Sequence, residues 1–346
     1  MESKQKSTTL GIDLAKNIIQ VSEVKHNKVK PNRNSTPDKF RPFLTNKKPS
    51  KIVFEASGNA HYWARQVMDM GHEAIILPAQ FVAGSRQGQK TDANDALACA
   101  VAGNHPNARA VSIKTEEEQG LQALARIQQA LTKQSTALNN MLTGLLFEFG
   151  IKRSKRSGEL PRRLPEILED AENGFPGFFR DALQETFQDY QVTQQKLKLI
   201  SARLESITKE QLTCRKLMAL EGVGPINAVG LYLALGDGRS FRNGRDAAAC
   251  IGVTPKQHST GGKVKLRHVG KNRGHQRLRY TLFQGAISVA KAIEKRAPQT
   301  VKEEWFLNLI ARRGMRCAAM AYANKTVRTA WAMITQNTEY KVAASH

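Results

Sequence analysis

An α/β domain followed by a mainly helical remainder is the fold class this sequence predicts, and three observations predict it. Short β-prone runs alternate with a helical segment over the first hundred residues. From about residue 115 the apolar period becomes helical. Two Gly/Pro-containing breaks then divide the rest of the chain.

In chain order, residues 8–14 (TTLGIDL) and 18–24 read as strands, and 51–55 (KIVFE) and 73–77 (EAIIL) as two more. Between the last two, residues 61–70 have helical spacing, closed by Gly71. A Gly/Ser/Gln loop after Pro78 leads to a helix beginning near Thr91. Thr115-x-x-Glu118 is a capping box, after which Leu121, Leu124, Ile127, Leu131, Leu138, Met141, Leu142 and Leu145 recur at three- and four-residue steps. Breaks at 154–165 (SKRSGELPRRLP) and 173–177 (NGFPG) precede a second long helix over about 181–212. Its stripe is Leu183, Phe187, Tyr190, Leu197, Ile200, Leu204 and Ile207. Two long helices joined by a loop predict an antiparallel pair or coiled-coil arm. Residues 215–235 read as helix, tight Gly222-Val223-Gly224-Pro225 turn and helix, and 280–293 and 317–334 as Ala-rich helices. The expected domains are 1–150, ending in a long helix; 151–212, a helical and dimerising arm; and 213–346, mainly α.

Among 346 residues, 53 Lys and Arg stand against 30 Asp and Glu, a formal charge of +23, so the expected partner is a polyanion. The excess is uneven: residues 251–300 hold 11 basic residues and one acid. Residues 256–279 hold eight basic residues and no acid, interleaved with Gly261, Gly262, Gly270 and Gly274. That pattern points to a phosphate-contacting loop, with Lys256, Lys263, Lys265, Arg267, Lys271, Arg273, Arg277 and Arg279 as candidate contacts. No apolar run reaches a membrane span, no secretory leader is legible, and four scattered cysteines suggest neither disulfides nor zinc. The chain reads as an intracellular, cytosolic protein without a membrane partner.

Four carboxylates sit in the nearly neutral first hundred residues. Asp13 follows an apolar strand, Glu55 ends KIVFE, and Asp92 and Asp95 lie three apart at a helix start, hence on one face. Hard oxygen ligands from strand ends and a helix face can hold two Mg²⁺ ions about 4 Å apart, which neutralise the entering and leaving oxygens of a phosphodiester.

GIDLAK, FEASGN and KTDANDA resemble the segments of insertion-sequence transposases of the IS110 family, which carry a RuvC-like domain with a DEDD tetrad. The resemblance continues through Glu221-Gly-Val-Gly-Pro225 and residues 252–262, and HSTGGK (258–263) is similar to the IS1111 branch. It implies an RNase H-like first domain, with Asp13, Glu55, Asp92 and Asp95 holding Mg²⁺, and a C-terminal transposase domain. It also implies a catalytic serine forming a covalent phosphoserine, as in a serine recombinase. Ungapped counting from Thr254-Pro255 favours Thr260, just before Gly261; the less crowded primary hydroxyl favours Ser259, the first choice.

The Leu220–Pro225 turn, with Gly222 and Gly224, resembles a helix-hairpin-helix, whose backbone amides grip phosphate. The implied partners are donor and target DNA, a guide non-coding RNA from the same element, and further copies of the chain as dimer or tetramer. A water-using RuvC-like nuclease and a non-enzymatic RNA- or DNA-binding protein are the alternative functions.

Overall fold

The computed structural model describes residues 8–26, 28–152, 158–270 and 274–341. It opens with a mixed sheet built from β1 (Thr9–Leu14), β2 (Ile19–Lys25), β3 (Lys28–Val29), β4 (Arg33–Ser35), β5 (Lys51–Glu55) and β6 (Glu73–Leu77). The strand order is β3-β2-β1-β5-β6, with β4 also on β2; β1 pairs antiparallel with β2 and parallel with β5, and β5 parallel with β6. Helices α1 (Pro37–Thr45), α2 (Ala60–Asp69), α3 (Ala79–Ser85) and α4 (Asp92–Gly103) flank it.

Strand alternation sorts the two faces. Leu10, Ile12, Ile52 and Phe54 pack with Phe40 and Leu44 of α1 and Trp63 and Val67 of α2. Val53 and Leu77 point the other way, packing with Val82 of α3 and Ala98, Cys99 and Ala102 of α4. Gly11 belongs to this second face: a Cβ there would lie 2.0 Å from the Ala96 carbonyl oxygen and 2.3 Å from the Ala100 nitrogen. The missing side chain lets α4 lie directly on β1.

The remainder is almost entirely helical: α5 (Glu116–Glu148), α6 (Leu160–Glu169), α7 (Gly177–Glu210), α8 (Leu212–Leu217), α9 (Pro225–Leu235) and α10 (Gly244–Ile251). A hairpin of β7 (Gln257–Thr260) and β8 (Lys263–Leu266) precedes α11 (Gln276–Glu294), α12 (Val301–Arg313) and α13 (Met315–Gln336). Leu142 and Leu146 of α5 pack with Leu164 and Leu168 of α6 and Leu183, Phe187 and Tyr190 of α7. Gln194 Nε2 donates to Ser135 Oγ at 2.6 Å, so α5 and α7 run side by side. Leu160–Glu169, which the two prolines Pro161 and Pro165 make read as a break, is a helix: Pro161 sits in its first turn, where no amide donor is needed. Residues 256–266, read as a loop, form the hairpin, turning on Gly261 and Gly262 at φ 54° and 74° as a two-residue turn with both φ positive requires.

The chain divides into two compact units. One comprises Met1–Glu117, Leu235–Ala249 and Ile334–Asn337; the other comprises Glu118–Ala234, Cys250–Met333 and Thr338–His346. No described helix is long and apolar enough to cross a membrane. All four cysteines are free.

Candidate active site

The parallel register of β1 and β5 pairs Gly11 with Val53 and Ile12 with Phe54, so Asp13 and Glu55 follow as neighbours at adjacent strand ends. Asp13 shares the face of Gly11 and Glu55 the face of Val53, which is the face α4 covers. Helix α4 brings the other two acids. Thr91, in extended conformation, is its cap, with Oγ1 accepting from Asn94 N at 3.3 Å. Asp92 is therefore relieved of capping duty and starts the helix, with Asp95 one turn on; both acids sit at the favourable end of the helix dipole.

All four carboxylates line one cavity of 540 Å³ together with Arg86 and Lys90. Asp13 and Glu55 are half-buried, and Asp92 is exposed. Burial, then the charges of Asp92 and Asp95, push the Asp13 carboxyl above its usual value against the pull of the Leu14 amide and Lys90. Burial, Asp13 and Asp95 do the same to Glu55, opposed by Lys90 and Arg86. Arg86 Nη1 pairs with Asp95 Oδ1 at 2.9 Å, both side chains largely covered. Sequence reasoning missed Arg86 and the packing role of Gly11: nothing in their spacing marks them, and only the tertiary approach of α3 and α4 reveals them.

The donor set is all carboxylate oxygen, which suits a hard divalent cation such as Mg²⁺. Burial is the larger cause of the rise at Asp13 and Glu55; the carboxylate repulsion that adds to it is what a cation would relieve. Among the described residues, no three His, Cys, Asp or Glu groups close to ligating distance. The four acids therefore share a cavity without forming a cage.

The basic stretch is placed unevenly. Lys263, Lys265 and Arg267 are exposed on or just after the hairpin, and Lys256 backs onto it, its amide donating to the His268 carbonyl and its carbonyl accepting from Arg267 N. Arg279 Nη1 donates to Gly270 O at 2.6 Å. Arg277 turns inward to α5, donating to Ala125 O, Gln128 Oε1 and Gln129 Oε1. Lys271 and Arg273 lie outside the described residues. Gly222, at φ 78°, packs against α11: its Cβ would come 2.8 Å from Gly285 O. A Cβ on Gly224 would meet nothing within 4 Å, and Gly224 is exposed at the start of α9. Ser259 and Thr260 are exposed on β7; among the described residues, Ser259 Oγ accepts only from Gln257 Nε2, at 3.4 Å.

Residues 10–150 match a family model for a DEDD transposase of the IS110 type, and residues 214–302 match the model described as Transposase IS116/IS110/IS902 family. A probable family 20 transposase of Pseudomonas aeruginosa is 34% identical, covering 96% of this chain and 98% of its own length. The transposase of insertion sequence element IS1111A from Coxiella burnetii is 31% identical over 97% of this chain and 92% of its own length. The transposase of element IS1328 from Yersinia enterocolitica is 30% identical over 96% and 98%.

These matches correct the expected serine nucleophile. They attach the chemistry to the acidic DEDD domain. Neither Ser259 nor Thr260 retains a nucleophilic role, and "serine recombinase" does not describe the protein. The exposed hairpin is consistent with the correction, since Ser259 Oγ has an amide donor beside it rather than a base. Domains of the DEDD type generally use divalent metal ions.

Proposed function

Because this chain belongs to the IS110 family of insertion-sequence transposases, enzymes that act on DNA, we propose that its sheet unit is an RNase H-like domain. Asp13, Glu55, Asp92 and Asp95 are its catalytic carboxylates and would hold Mg²⁺, expected as two ions, to supply positive charge at the scissile phosphate. The observation that carries this reading is the convergence of four acids on one cavity from two parallel strand ends and one helix start, with Asp13 and Glu55 held above their usual range. A strand order that runs antiparallel through β2 and β1 and parallel through β1, β5 and β6 supports the RNase H-like assignment.

When bound, the cations neutralise charge on the phosphate and polarise it toward attack. The chain's own residues do the rest. Asp13 and Glu55 are fixed by the sheet, so their separation is set by the register of β1 and β5. Asp95 is held by Arg86, which orients the carboxylate and keeps a guanidinium at the wall of the cavity. Lys90, exposed in the lining of the same cavity, is the residue to meet a phosphate oxygen of the DNA strand as it arrives.

The same reading extends to partners. Donor and target DNA, and a guide RNA from the same element, would share a chain of net charge +23 whose exposed Lys263, Lys265 and Arg267 suit phosphate contacts. The exposed Gly224 amide at the start of α9 suits the phosphate grip of a helix-hairpin-helix. The paired helices α5 and α7 would act as a coiled-coil arm joining two copies; Val192 and Leu199 lie exposed seven residues apart on α7.

Asp92→Asn tests the central claim: Mg²⁺-dependent cleavage of the element's end should fall at least about a hundredfold, as for loss of one electrostatic catalytic group. Full activity in that variant would sink the carboxylate assignment. Sequencing the nucleic acid that copurifies tests the guide: a single defined small RNA is expected, and only random host RNA would refute it.

A further inference from the structure

A second cleft, of 430 Å³, opens in the sheet unit where the chain leaves the two strands that carry Asp13 and Glu55. Ala15 and Lys16 follow β1 directly, and Asn59 stands four residues beyond Glu55, at the entry to α2. The turn into α2 is held in a conformation few side chains accept: Asn59 has φ 64°, in the left-handed region that Asn tolerates better than most residues. This turn presents Tyr62 and Trp63 from the first turn of α2 to the cleft, opposite Arg41 of α1.

The lining has the chemistry of a single-stranded nucleic acid site. Trp63 is 6% exposed and packs edge-on against Phe40, centroids 5.2 Å apart. Tyr62 lies edge-on to Trp63 at 5.5 Å, yet its own side chain is 40% exposed. A large aromatic ring propped up by a buried one, and left open to solvent, is a stacking platform. Lys16 and Arg41 are exposed, and among the described residues neither forms an ion pair with a carboxylate, although Asp38 also lines the cleft. Arg41 Nη2 donates to Tyr62 Oη at 3.4 Å, which holds a guanidinium beside the ring. The volume is at the small end of the roughly 300–1,000 Å³ of small-molecule sites, which suits one nucleotide and not a duplex.

We infer that this cleft receives an unpaired nucleotide of the DNA strand adjoining the phosphodiester held at the carboxylates, with its base on Tyr62 and its phosphate between Lys16 and Arg41. The inference rests on the carboxylate reading above and adds to it a positioning subsite. Stacking does not discriminate among bases, so the subsite would hold the flanking strand whatever its sequence. It would also keep that strand from swinging away once the duplex opens at the cut.

The test uses full-length protein, a chelator to prevent cleavage, and short single-stranded DNA carrying a 2-aminopurine, with RNA of the same sequence as a second probe. Stacking on Tyr62 should quench the fluorophore. Tyr62→Ala should weaken DNA binding about tenfold and abolish quenching, whereas Tyr62→Phe should preserve both. Lys16→Gln and Arg41→Gln, both at exposed positions, should each lower the slope of log affinity against log salt by about one. Wild-type affinity and quenching in Tyr62→Ala, or unchanged salt slopes in the two glutamine variants, would overturn the proposal. Tighter, Tyr62-dependent binding of RNA than of DNA would reassign the cleft to RNA and overturn the DNA assignment. Cleavage by Asp92→Asn, measured in parallel, reports on the carboxylates alone. If that variant still cuts, the catalytic reading fails while the Tyr62 result stands; if it is dead but Tyr62→Ala binds normally, only the subsite fails.

Discussion

Asp13 and Glu55 are acids whose protonated forms the fold favours, because burial disfavours the ionised state and neighbouring carboxylates add to it: Asp92 and Asp95 at Asp13, Asp13 and Asp95 at Glu55. Their folded pKa values lie above the unfolded ones, so the ionised cluster costs stability above the ordinary carboxylate range. That cost is relieved as pH falls through the raised values. Asp13→Asn removes one of the repelling charges. Without metal it should melt about 1–3 °C higher than wild type at neutral pH, a difference that shrinks on acidification, and it should have lost Mg²⁺-dependent cleavage. Calorimetry in chelator against pH checks the first expectation, and a nicking assay the second. A variant that melts lower than wild type at neutral pH would show that the cluster is not repulsive in the folded chain.

At the scale of elements, the position of the acids depends on how closely α4 approaches β1, and Gly11 sets that approach. Gly11→Ala would put a methyl 2.0 Å from the Ala96 carbonyl oxygen, and backbone, unlike a flexible side chain, cannot yield cheaply. We expect a loss of about 2–3 kcal/mol by urea titration, typical of overpacking, together with lost cleavage, because Asp92 and Asp95 move with the helix. Unchanged stability would mean that α4 stands further from the sheet.

The legibility of each element has a physical origin. β5 and β6 could be read to the residue because KIVFE and EAIIL are apolar runs bounded by turn residues. The start of α4 was legible from Thr91 and its two acids. Helices α1 and α6 were hidden by prolines, each of which sits in a first turn or is tolerated further in: Pro37 and Pro42, Pro161 and Pro165. The β7–β8 hairpin was hidden because both of its faces are exposed, so burial imposes no alternation on QHST and KVKL. Arg277 counted toward a solvent-facing basic run, but its guanidinium is used to bind α5 carbonyl and amide oxygens, a contact nearly 150 residues away in sequence. The carboxylates were legible as a set; the cation against Asp95 and the Tyr62 cleft were not, since both depend on tertiary approach.

On the scale of the whole molecule, segments far apart in sequence are joined within a unit by polar contacts as well as by its cores. Glu221, just before the Gly222 turn, accepts from Lys302 Nζ at 2.8 Å and from Tyr340 Oη at 3.0 and 3.1 Å, clasping the end of the described chain to α12 and the turn. Burial works to raise the Glu221 carboxyl, but Lys302, a backbone amide and the Tyr340 hydroxyl together outweigh it and hold the group below its usual value. Lys302 is itself lowered, since its deeper burial exceeds what Glu221 returns. The stability Glu221 contributes is present above its unfolded pKa and is lost as pH falls through the lowered one. Glu221→Ala leaves an ammonium 9% exposed without its ion-pair partner, and should cost about 3 kcal/mol in denaturant titration. Adding Lys302→Met should recover part of that loss; no recovery would show that Tyr340, and not the ion pair, carries the clasp.

The division into units has a consequence for how the protein is made. The sheet unit is begun by the first residues of the chain, yet it includes Leu235–Ala249 and Ile334–Asn337. Within it, Ser112 Oγ bonds Asp237 Oδ1 at 3.3 Å and Arg109 pairs with Asp246 at 3.7 Å, so the later segment is fastened to the earlier one. A ribosome adding about 5–20 residues per second needs on the order of 10–40 s to go from residue 118 to residue 337. During that interval the acidic strands exist without their closing segments while the basic helices emerge. Every residue lining the carboxylate cavity lies between Asp13 and Asp95, so biosynthesis delivers the cavity's own residues early, while the last segment of the unit that carries them, Ile334–Asn337, is delivered only when nearly the whole chain has been made.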